Sequence, residues 1–206
     1  MGLRMCGWAS HPASRWETFR GFVEKFRAQE GLGTLPPIII AALRRKMVGL
    51  AGEIAEGVVF ANASRSHMAV SLAALPEAKR ADPGFFIGNM IPTCISDHVE
   101  AAKAVNRRTL TNYAFLPNYR NYWKEAGYRE EMDAVEAAIA EGRKDDVPKF
   151  FSDKWLADNT LFGPGARVRE GVEAWRDTGV RNLIIVPSSA EGNQIKALQE
   201  VFEAFG

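Results

Sequence analysis

The chain has 206 residues, 47% of them hydrophobic and 25% charged, enough for one large domain or two small ones with a sizeable buried core. Lysine plus arginine (26) nearly balances aspartate plus glutamate (25), which argues against a general nucleic-acid or acidic-membrane surface, so any basic site must be local. The two cysteines, Cys6 and Cys94, have no CxxC or zinc spacing and make no disulfide framework, and no apolar run approaches the roughly 18 residues of a membrane span.

The first residues, "MGLRMCGWAS", lack the apolar core of a signal peptide, and Cys6 stands where a myristoylation pattern needs Ser or Thr. A reduced, cytoplasmic protein acting on a small molecule is the expectation, with no nucleic-acid or membrane partner. Ser14 and Glu17 form a capping box ahead of a helical stripe of Trp16, Phe19, Phe22, Val23 and Phe26. "GLGTLPP" then breaks the chain. Residues 38–42 predict a strand, and Leu43, Met47, Leu50, Ala51 and Ile54 mark one face of the helix after it. Gly57 ends that helix, and residues 58–60 predict a short second strand. Residues 66–79 read as helical, and "ADPG" turns the chain. "FFIGNMIPTCI" is a third strand, expected over 85–92, with Pro92 near its end.

Asp97 and Glu100 make another capping signature before a helix to about residue 110. From there to Phe162 the pattern predicts helices and turns but no strand, with "EEMDAVEAAIAEG" the clearest helix. "GPGARVREGVEAW" starts another, with Val168, Val172 and Trp175 on one face. A fourth strand is expected at 182–187. Ile195, Leu198, Val201, Phe202 and Phe205 give the final helix its apolar stripe.

Alternation of strand and helix predicts α/β architecture with parallel strands and crossover helices. The segment at about 97–160 reads as a helical insertion in one crossover. A single domain over 1–206 is expected. Its start is unusual, because an amphipathic helix stands where such a fold begins with a strand. The front of the fold is therefore expected to be missing.

Standard catalytic signatures are mostly absent: no GxSxG, HExxH or Walker A occurs. "GPGARV" begins like a dinucleotide fingerprint, but Val168 takes the third glycine's place and no strand is predicted before it. A helix start is the preferred reading. His11, His67 and His98 share no ligand spacing, and no metal site is expected. His67 is the best placed of the three, in a loop with Asn62, Ser64 and Ser66 just past a strand. In α/β sheets that is the functional end.

The sharpest local feature is "IIIAALRRKM". Arg44, Arg45 and Lys46 stand where a strand runs into a helix. Cations there oppose the helix dipole, yet free N–H groups at that position bind anions, phosphate above all. A phosphate site and a solvated basic turn both fit.

"PPIIIAALRRKMVGLAGEIAEGVVFANASRSHM" resembles the C-terminal half of the luciferase-like monooxygenase superfamily, whose members are flavin- or deazaflavin-dependent TIM-barrel enzymes. Ala41, Ala42, Leu50, Ala51, Gly52, Glu53, Ala55, Glu56, Gly57 and Val58 fit the family pattern of a strand, a small-residue turn and "LAGExADGV". "FGPGARVREGVEAWRDTGVRNLIIVP" resembles the family's ending. The resemblance covers roughly residues 14–206. It implies a partial (β/α)8 TIM barrel made of the last four βα units, from a truncated oxidoreductase using coenzyme F420 or FMN. It also implies that the turn Ala41, Ala42, Leu43, Arg44 and Arg45 lies against the cofactor phosphate, although Leu43, Arg44 and Arg45 replace the family's glycines and proline. A complete barrel takes about 250 residues. The absent strands carry the wall nearest the chemistry, so no catalytic residue is assigned. A homo-oligomer is expected, because half a barrel leaves open edges. The alternative is a non-catalytic half-barrel that pairs with itself or another chain and keeps at most a phosphate site.

Overall fold

The computed structural model describes residues 15–31 and 33–206. The chain forms two compact units, Met1–Pro37 and Ile38–Gly206. In the first, helix α1 (Arg15–Arg27) carries the phenylalanines of the expected aromatic stripe. Phe19, Phe22 and Phe26 follow one another along it, with ring centroids 6.5 and 6.4 Å apart. The capping box at Ser14, together with Cys6 and His11, lies outside the described residues.

The second unit begins with β1 (Ile39–Ala41), α2 (Arg45–Ile54) and β2 (Gly57–Ala61). A 3-10 turn (Arg65–His67), α3 (Met68–Leu72) and α4 (Glu77–Ala81) follow, and then β3 (Phe86–Ile95). The helix expected at 66–79 is thus broken, and Pro76, which has no N–H to donate, stands at the start of α4. The insertion holds α5 (Val99–Ala114), α6 (Pro117–Glu125), α7 (Arg129–Ala140), a 3-10 segment (Lys144–Phe150) and α8 (Asp153–Asn159). Helix α5 starts from His98, not Asp97, and Ser96 Oγ accepts from the His98 N–H. Next come β4 (Leu161–Gly163), α9 (Gly165–Arg176), β5 (Asn182–Ser188) and α10 (Gln194–Phe205).

Among the described residues all strand pairings are parallel. The main ladder runs β1, β2, β3, β5, the four expected strands. β4 is the one the sequence did not announce. Residues 88–90 of β3 pair with both β2 and β5, so these two flank β3 on opposite edges. Thr93 and Cys94 pair with both β4 and β5, so β4 lies on the edge that β2 occupied lower down. β2 leaves that edge at Met90, where Asn62, with φ 56°, turns the chain away.

Pro92 sits in the gap. Along a strand, successive residues turn their backbone groups to alternate edges. The Met90 carbonyl accepts from Asn62 on the β2 side, and Ser96 donates to Gly163 on the β4 side. Pro92 shares that parity, so its missing N–H falls where β2 has ended and β4 has not begun. A proline is tolerated in a central strand where no ladder bond is lost.

The two faces of the sheet differ. Ile40, Val58, Phe60, Ile87 and Ile91 share one face by register and are fully buried under the helices. Ile39, Met90 and Ile184 lie on the other face and are 37%, 39% and 37% exposed. Among the described residues β1 pairs only with β2, and β5 only with β3, which leaves an open edge at each end of the ladder.

Candidate functional site

The C-terminal ends of β1 and β2 meet α6 of the insertion around a cleft of about 340 Å³. Ala41, Ala42, Leu43 and Arg44 form one wall, Val59 and Ala61 another, and Asn118 and Tyr119 close it from α6. Met47, Phe60 and Met90 complete a mostly apolar lining. Of the five turn residues singled out in the sequence, the structure brings four into this cleft. Arg45 is exposed beside it.

The turn is held by backbone bonds. Ala42 N–H donates to Val59, and the Arg44 carbonyl accepts from Met47 and Val48. Arg44 is the N-cap residue of α2, but no side chain caps the helix and no acidic residue stands in its first turn. Its free N–H groups and the cations Arg45 and Lys46 therefore share one end. Arg44 forms an ion pair with Glu125, the last residue of α6. Each partner is a charge that its own helix terminus disfavours, a cation at an N-terminus and an anion at a C-terminus, and pairing relieves both.

The neighbouring loop after β2 is fixed by a buried polar clasp. Asp158, at the end of α8, accepts from the Ser66 N–H at 2.9 Å, the Ser66 hydroxyl at 2.6 Å and the Tyr128 hydroxyl at 2.8 Å. Ser64 Oγ lies 2.7 Å from Asn159 Oδ1, and the Ser64 N–H donates to the Tyr122 hydroxyl. Trp123 Nε1 donates to the Asn62 carbonyl. Burial pushes the Tyr122 hydroxyl up to about 12, and burial with the Asp158 hydrogen bond holds Tyr128 higher still. The clasp continues as an aromatic cluster, with Trp123 edge-on to Trp155 at 4.9 Å and Phe151 stacked on Trp155 at 4.3 Å.

His67 is packed edge-on against Tyr122 at 5.6 Å, and Ser64 and Ser66 are taken up by the clasp, so this polar loop serves architecture. The "GPG" turn follows β4 after all, contrary to expectation, because three residues suffice for that strand. Its reading as a helix start stands: Gly163 takes φ 110°, Pro164 precedes the first turn of α9, and Val168 is buried. Cys94 is a buried thiol pushed up to about 11 by burial first and Glu200 second, far from a reactive thiolate. Among the described residues, no three His, Cys, Asp or Glu side chains converge as a metal centre requires. No helix among them is long and apolar enough to cross a membrane. Sequence reasoning missed Glu125, Tyr122, Asp158 and Asn159. Their bonds to Arg44, Ser64 and Ser66 span 58 or more residues of chain, which no local pattern records.

A model of the luciferase-like monooxygenase family matches residues 8–182, and the chain belongs to that family. None of the curated proteins matches it. Among solved structures it is similar to the coenzyme F420-dependent tetrahydromethanopterin reductase from Methanopyrus kandleri. The TM-score is 0.62 at 20% identity over 80% of this chain and 48% of that one. It is also similar to an F420-dependent secondary alcohol dehydrogenase solved with an F420–acetone adduct. Here the TM-score is 0.55 at 12% identity over 84% of this chain and 50% of that one. The chain spans about half the length of both. These likenesses confirm the parallel α/β fold as part of a TIM-type barrel.

Proposed function

We propose that this chain supplies the phosphate side of a flavin- or deazaflavin-dependent oxidoreductase site, with coenzyme F420 or FMN as the cofactor. The phosphate rests on Ala41, Ala42, Leu43, Arg44 and Arg45. The observation that supports this is the uncapped, acid-free N-terminus of α2, with Arg44 at the cleft and Arg45 beside it. The residues fit the group in charge. Leu43 and the arginines leave less room for close backbone approach than glycines would, so side chains do more of the holding.

The bound cofactor supplies hydride transfer or oxygen activation. This chain's residues bind and orient. The N–H groups of α2 and the guanidinium of Arg44 hold the anionic end. Met47, Met90 and Tyr119 give the cleft an apolar lining from which water is displaced. Titration of FMN and of coenzyme F420 into the wild type and an Arg44→Ala plus Arg45→Ala variant tests the reading. The variant is expected to bind at least ~10-fold more weakly, the loss of one or two charge-assisted contacts. Equal affinity removes the arginines from the site.

A second reading, a non-catalytic half-barrel that self-associates, is favoured by the exposed apolar face and the two open edges. Four parallel strands with edges at β1 and β5 close to eight when a second copy is rotated by 180° about the barrel axis, because β5 then runs parallel to the partner's β1. On this reading the chain alone turns over no substrate at a rate typical of the family, and sedimentation reports a dimer. A monomer active with added cofactor sinks it.

A further inference from the structure

We propose that Glu125 is a charge gate on the cleft, occupying Arg44 until a ligand phosphate displaces it, so that it sets the preference for phosphorylated over neutral ligands. This rests on the phosphate-site reading of the turn and concerns a residue of the insertion, outside the turn. The geometry is direct. Arg44 lines the cleft, and its guanidinium pairs with the Glu125 carboxylate. An arriving phosphate and Glu125 therefore compete for one cation.

Three features make the exchange cheap in both directions. The side chains of Arg44 and Glu125 are 50% and 43% exposed, so neither charge is stranded in a dry interior when the pair opens. Among the described residues Glu125 has no second cation within ion-pair distance, and its neighbour Lys124 is taken by Asp133 and Glu136, each at 2.7 Å. The phosphate would restore what Glu125 relinquishes, since it brings negative charge to the uncapped end of α2, where Arg44 is otherwise disfavoured. A neutral ligand can make no such exchange. It binds with the pair intact.

The test uses FMN, inorganic phosphate and riboflavin as probes, titrated at low ionic strength into the wild type, Glu125→Gln, Glu125→Asp, Arg44→Ala and the Arg44→Ala plus Glu125→Gln double variant. Glu125→Gln is expected to tighten FMN and inorganic phosphate by roughly two- to five-fold, the range an exposed ion pair is worth, and to leave riboflavin unchanged. Glu125→Asp keeps the wild-type preference. In the Arg44→Ala background, Glu125→Gln has no further effect. A gain in affinity separates a gate from a brace, because losing a structural brace would weaken binding or leave it alone. If FMN binds and Arg44→Ala weakens it while Glu125→Gln does not tighten it, the gate is overturned and the phosphate site stands. If neither the wild type nor Glu125→Gln distinguishes FMN from riboflavin, the gate and the site fall together.

Discussion

The two faces of the sheet are built from the same residue types and have opposite fates. Val58, Phe60, Ile87 and Ile91 are sealed under helices, whereas Ile39, Met90 and Ile184, one register step away, face outward. The rim at the strands' C-terminal ends repeats the contrast. Over β2 the insertion is clamped by hydrogen bonds to the buried carboxylate of Asp158, and over β1 the cleft is bridged by a half-exposed ion pair. The difference teaches that this unit spends its packing on one side and at one corner. Among the described residues the open face and the β1 turn are the less covered side, whereas parallel sheets are otherwise buried on both faces.

The largest test of that contrast is a pair of truncations. Phe60→Ala is expected to cost about 3–5 kcal/mol, and Met90→Ala, on the opposite face, less than about 1 kcal/mol. Urea unfolding of the two variants measures it. Comparable losses would mean that the open face is packed in solution.

Asp158→Ala comes next. It removes the acceptor of three hydrogen bonds at a buried carboxylate and leaves Tyr128 and Ser66 without it, at about 2–3 kcal/mol. The loss should appear as a lower denaturation midpoint, with the His67–Tyr122 packing disturbed. An Asp158→Ala protein as stable as the wild type would show that the clasp does not hold the rim.

A pH dependence follows from Tyr122. Its folded-state pKa is raised from 10.0 to about 12, so the folded protein keeps a proton that the unfolded chain gives up. That contribution is fully present below pH 10 and is lost as the pH climbs through about 12. Tyr122→Phe is expected to flatten this alkaline decline in unfolding free energy, at the cost of the Ser64 hydrogen bond. An unchanged slope would place the alkaline sensitivity elsewhere.

The smallest effect on folding should come from Met90→Lys plus Ile184→Lys. Stability is expected to stay within about 0.5 kcal/mol, since both side chains are partly solvated. Any concentration-dependent association seen by sedimentation should weaken at the same time. Stability lost together with association would sharpen the contrast in the other direction, toward a face that needs its partner in order to fold.

Much of the architecture was legible in the sequence because it is periodic. Continuous apolar runs marked β1, β2, β3 and β5, and 3.6-residue stripes marked α2, α9 and α10. β4 escaped because three residues carry no period, and its existence depends on the edge of β3 that β2 vacates. The helix at 66–79 was overread, because an apolar stripe does not register the break that Pro76 imposes. The cations Arg44, Arg45 and Lys46 were legible from charge alone, since cations at a helix start conflict with local electrostatics, and the family resemblance extended the turn to residues 41–45. The partner of Arg44, Glu125, was not, because that contact joins residues 81 apart.

Taken by itself, the sequence determined the parallel α/β class, the family and the position of the basic turn. Periodicity, residue type and charge are properties of neighbours along the chain. Only the tertiary structure decided which face of the sheet is sealed, why Pro92 is tolerated inside it and which carboxylate meets Arg44. Those depend on strand order and on where the insertion folds back, and both are set by contacts between segments that are remote in the sequence.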